Sequence, residues 1–188
     1  VSTDSEEIAD IALKAGAEVP FLRPNELASD KISKFPALRH ALKTCESIYQ
    51  TEFNYLVDLD PTSPLRIADD INNCIDLVLN SNISNVITAM DSRRSPYFNL
   101  IEKDLNGKVV ISKTIDPPPT CRQDSPQCYD MNASIYAWKK EVLLQNEIPI
   151  FLDSTELYLM PEERSIDIDS ELDAKFVEFL LKNKVMNN

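Results

Sequence analysis

The sequence predicts a single α/β domain with a mostly parallel sheet and a protruding antiparallel arm. Two apolar runs flanking an amphipathic stretch make a strand, helix, strand unit over 55–90, the pattern of a parallel sheet. Asn106-Gly107, set between 97–102 and 108–112, is a hairpin signal that interrupts that core. With 188 residues, 43% of them hydrophobic, the chain is long enough to bury one core. No internal repeat or low-complexity run divides it, so residues 1–188 read as one domain with an arm at 92–128.

The chain opens on Val1-Ser2-Thr3-Asp4. Thr3 and Glu6 form a capping-box pattern for a helix whose Ile8, Ile11, Ala12 and Ala15 share one side, and Gly16 closes it. A short extended stretch over 18–22 and a polar segment over 23–34 follow. Pro36 suits the first turn of a second helix, which places Leu38, Leu42, Cys45 and Tyr49 at helical spacing. Residues 55–60 read as a buried strand running into the loop Pro61-Thr62-Ser63-Pro64. A helix starting at about Ala68 buries Ile71, Ile75, Val78 and Leu79, and 85–90 is the next strand. After the hairpin, Pro117-Pro118-Pro119 makes a stiff extended connection. Strands are expected over 131–136, 157–160 and 165–169, and a closing helix over 170–183 turns Leu172, Phe176, Phe179 and Leu180 inward.

Composition excludes several functions. A net charge of -12 argues against a nucleic-acid-wrapping or anionic-membrane surface, because phosphates are bound by clustered Lys and Arg. No run approaches the ~20 apolar residues of a membrane-spanning helix, and no signal-peptide pattern opens the chain, so the domain reads as soluble and cytoplasmic. Cys45, Cys74, Cys121 and Cys128 form no CxxC pair, and His40 is the only histidine, which excludes zinc fingers and His-ligated metals. Glycine is scarce: two residues, where average usage predicts roughly 13. A glycine-rich phosphate loop is therefore absent from these residues.

Three segments can carry chemistry. In Ser165-Ile166-Asp167-Ile168-Asp169, strand alternation puts both aspartates on one face and both isoleucines on the other. Two adjacent carboxylates repel unless a cation lies between them, and hard oxygen donors suit Mg²⁺. The alternative is an exposed polar edge, with Asp169 or Ser170 capping the final helix. The second segment is Asp58-Leu59-Asp60 with Pro61-Thr62-Ser63-Pro64-Leu65-Arg66, since ligands in open α/β sheets bind beyond the carboxyl ends of strands; equally, Asp60 and Thr62 can simply satisfy turn amides. The third is Arg122-Gln123, whose guanidinium suits a carboxylate or phosphate, or is a solvated surface arginine.

Taken in order, these segments resemble the acylneuraminate cytidylyltransferases, the CMP-sialic acid synthetase family. The resemblance runs from Val1 to about Leu181 through VSTDSEEIADIA, GAEVPFLRPNELASD, VDLDPTSPLR, CRQDSPQCYDMNASIY and SIDIDSELD. Leu59-Asp60 before PTSPLR, the stretch Ser95-Pro96-Tyr97-Phe98-Asn99-Leu100 and the run CYDMNAS resemble the bacterial branch that activates legionaminic acid. The resemblance implies a three-layer, Rossmann-like nucleotidyltransferase fold with a dimerisation arm. It also implies a reaction in which the anomeric hydroxyl of a nine-carbon 2-keto sugar acid attacks the α-phosphorus of CTP, with Mg²⁺ bound and pyrophosphate leaving.

Carried over by motif, Asp167 and Asp169 match the metal-binding aspartates and Arg122 the arginine beside the reacting centre. Arg23, Lys34, Asp60, Gln123, Asn132, Tyr136 and Phe151 are the substrate-binding candidates, with Tyr136 and Phe151 at positions that line the sugar pocket. In the family the arm crosses to a second subunit, so a homodimer is expected and Arg122 is expected to serve the neighbour's site. Three departures stand out. Many members carry glutamine where Asp60 stands, and Ile32 and Lys34 occupy places of family serines. The family's first strand and its Gly, Arg and Lys loop for the triphosphate precede Val1, a difference of about 40 residues on ordinary element lengths. A chain without that loop is expected to be inactive alone. The competing readings are a nucleotidyltransferase for another acid sugar and a catalytically dead dimerising scaffold.

Overall fold

The computed structural model describes residues 1–29, 31–145 and 150–183. Helix α1 (Glu6–Lys14) precedes α2 (Phe35–Tyr49), β1 (Tyr55–Leu59), α3 (Ala68–Val78) and β2 (Asn85–Asp91). The arm carries β3 (Ile101–Lys103) and β4 (Val109–Ile111). The chain returns through β5 (Tyr129–Lys139), the short α4 (Lys140–Leu143), β6 (Thr155–Leu159) and α5 (Glu171–Lys182).

One four-stranded sheet has the order β1-β5-β2-β6. Strands β1, β2 and β6 run the same way, as the strand, helix, strand unit requires, and β5 lies antiparallel between β1 and β2. The sheet is thus mixed, because β5 comes back from the arm rather than through a crossover helix. A register shift in β5 between the pairs Ile87 with Tyr136 and Ala89 with Met131 marks a bulge, and there Ala133 takes a left-handed φ of 50°.

Alternation along β2 and β5 builds a core on each face, giving three layers. Ile87, Tyr136 and Trp138 point towards α2 and α4, where Leu42, Val142 and Leu143 are buried with them and Phe35 meets Trp138 edge-to-face at 5.4 Å. Val86, Ile135 and Ala137 point the other way, onto Cys74 and Val78 of α3 and Met160 after β6. A third cluster joins Leu65 to Val177 and Leu180 of α5, with Ile166 and Ile168 packed against it. Leu65 thereby ties the loop after β1 to the segment carrying the paired aspartates.

Several expectations need correcting. Ser5, rather than Thr3, caps α1 by accepting from the Ile8 amide at 3.3 Å, while Thr3 is buried and accepts from the Ser5 amide. Ile8 and Ile11 are exposed and Ala9 is buried; likewise Leu172, Phe176 and Phe179 of α5 are exposed while Val177 and Leu180 are buried. Helical spacing fixes which side chains share a face, whereas only neighbouring elements decide which face is covered. Leu79 is exposed on α3, and the fully buried residue near that helix's start is Asp70. Residues 165–169 form no ladder, yet their alternation survives, since Ile166 and Ile168 face the Leu65 cluster. Ser170 caps α5 through the Asp173 amide.

The hairpin falls where Asn106-Gly107 places it. Gly107 has a φ of 78°, and one Asp104 carboxylate oxygen accepts from the amides of Asn106 and Lys108. No helix among the described residues is long and apolar enough to cross a membrane.

Leu65→Ala is expected to lower stability by about 2–5 kcal/mol, because it removes a fully buried leucine at the junction of three segments. Urea denaturation measures this, and a loss below about 0.5 kcal/mol, the range of ordinary surface changes, contradicts the packing described.

Candidate active site

Strand β1 ends at a cleft of about 310 Å³ lined by Arg23, Ser29, Ser33, Lys34, Asp58, Asp60 and Pro61, among others. The cleft is made by β1 register and by the end of the polar segment before α2. Asp58 lies directly across from Tyr136 in the β1–β5 ladder. The Lys34 ammonium reaches over both, 2.6 Å from the Asp58 carboxylate and 3.5 Å from the Tyr136 ring centroid. Arg23 also lines the cleft, its guanidinium held by the Ser2 hydroxyl at 3.1 Å and by the Ser2 carbonyl.

Burial pushes the Tyr136 phenol up from its ordinary pKa, and the charges of Asp60, Asp58 and Asp167 push it the same way. Of these three carboxylates, Asp58 is the one directly across the ladder from the ring. Asp167 reaches this neighbourhood because Ile166 and Ile168 are drawn into the Leu65 cluster and the Ile168 amide donates to the Thr62 carbonyl at 2.9 Å. Asp169 is exposed one turn-step further on, its amide donating to Asp173.

The loop that presents Asp60 is held from inside by Arg66. Its Nη1 donates to the carbonyls of Asp60 at 2.7 Å, Ser63 at 2.6 Å and Ser134 at 3.3 Å. Burial draws this guanidinium below its ordinary pKa, while the Asp60 and Asp58 charges act in the opposite direction. Sequence reading placed Arg66 only as the end of a loop motif. The signal available was an arginine following two prolines, where a turn leaves carbonyls in need of donors.

The remaining candidates are not in this cleft. Asn132 is buried: its side-chain carbonyl accepts from the Thr88 hydroxyl at 2.7 Å, and its amide nitrogen donates to the Ser165 hydroxyl at 3.0 Å. Phe151 is exposed and lines a larger, more apolar cavity of about 810 Å³ between the sheet and the arm, together with Arg94, Lys113, Tyr129, Met131 and Leu157. Arg122 and Gln123 lie on a single 3-10 turn of the arm, where Arg122 donates to the Ser92 carbonyl of its own chain. One chain thus joins Arg23, Lys34, Asp60 and Tyr136 at the cleft, brings the Asp167 segment against the loop that follows Asp60, and holds Arg122, Gln123 and Phe151 beside the arm.

Comparison with known proteins shows the family of the chain. The chain is 48% identical over 184 residues, 98% of its length, to the CMP-N,N'-diacetyllegionaminic acid synthase of Campylobacter jejuni, and covers 77% of that protein. It belongs to the acylneuraminate cytidylyltransferase family. It is also 50% identical, with the same coverage, to the post-translational flagellin modification protein B of Campylobacter coli. An N-acylneuraminate cytidylyltransferase of Escherichia coli is 31% identical over 92% of this chain and 39% of its own. No protein-family model matches. Among solved structures, a CMP:2-keto-3-deoxy-manno-octonic acid synthetase complexed with CTP superposes with a TM-score of 0.62 at 14% identity, over 98% of this chain and 80% of that one. Acylneuraminate cytidylyltransferases are nucleotidyltransferases, and this chain is one of them.

Replacing Arg66 by methionine is expected to cost about 1–3 kcal/mol, since the apolar side chain leaves loop carbonyls unpaired. Lysine, with its three rotatable donors, is expected to recover part of the loss. Chemical denaturation of both variants checks this; equal stability of Arg66→Met and the parent contradicts it.

Proposed function

We propose that the protein activates a nine-carbon 2-keto sugar acid of the legionaminic type with CTP, giving the CMP-sugar and pyrophosphate. The observation that carries this reading is the 48% identity across 98% of the chain to a CMP-N,N'-diacetyllegionaminic acid synthase. The acidic cleft at the end of β1 supports it. In the reaction the sugar's anomeric oxygen bonds to the α-phosphorus, the bond from that phosphorus to the bridging oxygen breaks, and pyrophosphate leaves while the hydroxyl proton passes to solvent. A reaction that draws on CTP suits a cytoplasmic enzyme.

The residues present fit a divalent cation. Asp167 and Asp169 offer hard oxygens outside the Ile166 and Ile168 packing, and one Asp167 oxygen accepts from the Ile168 amide at 3.1 Å. Among the described residues no group of three or more acidic, cysteine or histidine side chains converges as a ready cage. Mg²⁺ is commonly held in that manner, by one or two carboxylates with water and substrate phosphates completing the shell. When bound, it would neutralise the charge that develops as pyrophosphate departs. Of the chain's own groups, Lys34 and Arg23 supply positive charge to the nucleotide side of the cleft, and the Tyr136 ring and Asp60 border the sugar side.

Arg122 reads best as a group delivered to a second subunit's cleft. The arm presents exposed apolar residues, among them Leu100, Ile101, Leu105 and Val109, and extended apolar surface of this kind suits a two-fold partner. The proposed enzyme is therefore a homodimer with exchanged arms.

Pyrophosphate release from CTP with N,N'-diacetyllegionaminic acid and Mg²⁺, assayed on full-length protein that carries the family's triphosphate loop, tests the reading, and its absence there with this and with N-acetylneuraminic acid sinks it. Asp167→Ala is expected to reduce turnover strongly with the fold intact. Arg122→Lys is expected to lose at least about tenfold in kcat/KM, roughly 1.4 kcal/mol, because lysine lacks the two-pronged donor. Mixing the two variants after subunit exchange is expected to restore about a quarter of parental activity, since half the dimers are mixed and each mixed dimer has one intact site. No recovery on mixing would place Arg122 in its own chain's chemistry or outside the site.

A further inference from the structure

Asp70 is fully buried on α3, and both of its oxygens are engaged. Oδ2 accepts from Arg164 Nε at 2.9 Å and from the Ile67 amide at 3.0 Å, and Oδ1 accepts from Arg164 Nη2 at 2.9 Å and from the Tyr158 hydroxyl at 3.2 Å. The bond to Asp70 is the main influence holding the Arg164 guanidinium above its ordinary pKa. We propose that Asp70 and Arg164 are positioning residues for the Asp167–Asp169 carboxylate pair. The proposal rests on reading that pair as the metal site.

Arg164 stands three residues before Asp167, and each residue extends the chain by at most about 3.6 Å. The next residue, Ser165, is buried; it accepts from Asn132 and donates to the Pro161 carbonyl at 2.8 Å. On the far side of Asp167, the Ile168 amide is fixed on the Thr62 carbonyl at 2.9 Å. Asp167 therefore sits between two anchors, in a segment with no ladder of its own to stiffen it.

A buried ion pair is a weak source of stability, because removing both charges from water costs about as much as their attraction returns. A bidentate fork supplies something else, direction in two axes at once. Mg²⁺ demands near-octahedral oxygens at fixed distances, and losing the groups that orient a metal's ligands typically weakens metal binding about 10–100-fold. The Asp70–Arg164 fork spans that requirement: it locks the turn feeding the carboxylates to the helix that follows the Asp60 loop.

The test is Mn²⁺ binding to the nucleotide-free protein, followed by loss of the free-ion EPR signal, with thermal midpoints measured in parallel. Two variants are used. Arg164→Lys keeps the charge and loses the fork, and the double variant Asp70→Leu with Arg164→Met replaces the pair by apolar groups that preserve packing. Each is expected to bind Mn²⁺ about tenfold or more weakly, at a thermal midpoint close to the parent's in whichever variant retains the native fold best. Parental Mn²⁺ affinity in either folded variant overturns the proposal. Asp167→Ala separates the two levels of the argument. If it abolishes Mn²⁺ binding while the fork variants bind normally, the positioning role alone is wrong; if it too binds normally, the metal assignment beneath the proposal is wrong.

Discussion

The cleft exists in its present shape because one guanidinium is buried inside a loop. Arg66 gathers carbonyls from Asp60, Ser63 and Ser134, and so joins the end of β1 to the bulged part of β5 across the mouth of the sheet. The Asp60 amide in turn donates to the Ser134 carbonyl at 3.2 Å. Without a donor of that reach, a loop with two prolines has too few amides to satisfy its own carbonyls. Leu65, beside Arg66, then carries the same loop into the cluster that receives Ile166, Ile168 and α5. The Asp60 and Asp167 carboxylates are thus placed by two adjacent residues of one loop, one polar and one apolar.

That arrangement sets the electrostatic problem the enzyme must meet. The whole chain carries a net charge of -12, the cleft is lined by Asp58 and Asp60, and Asp167 stands on the neighbouring segment that bonds to Thr62. A nucleoside triphosphate and an acid sugar add further negative charge, so neither can approach unless cations are held locally. Lys34 is engaged by Asp58 and stacked on Tyr136, which neutralises one of the three carboxylates and leaves Asp60 and Asp167 to be met. A divalent ion on Asp167 and Asp169, Arg23 at the cleft wall and an arginine delivered along the arm are the chemically consistent answers in the proposed enzyme.

Much of the fold was legible in the sequence because its signals are local. The apolar runs in 55–60 and 85–90, Pro36 at a helix start and Asn106-Gly107 at a hairpin each depend on a few neighbouring residues, although β1 lies at the sheet edge with Tyr55 and Leu59 exposed rather than buried. The motif-based family resemblance was legible for the same reason, and the relatives bear it out. What the sequence did not disclose was three-dimensional. Nothing in the spacing of Ile8 and Ile11, or of Phe176 and Phe179, says that their faces stay exposed. Asn132 has the composition of a substrate contact, yet its amide lies in a buried network with Thr88 and Ser165. Asp70 occupied an ordinary third position in a helix start, and only the fold brings Arg164 to it from 94 residues away. The Asp167 and Asp169 alternation was readable although the strand expected over 165–169 does not form, because two isoleucines seek a core whether or not a ladder forms.

The central claim is that the sugar acid's own anomeric oxygen becomes the link to CMP. A sugar acid labelled with ¹⁸O at that position, incubated with CTP, Mg²⁺ and the protein, tests it most directly by mass spectrometry of both products. The account predicts that the label appears in the CMP-sugar and that the released pyrophosphate carries none. Pyrophosphate or free CMP formed with no labelled CMP-sugar would contradict it, and would make the protein a nucleotide hydrolase rather than a cytidylyltransferase.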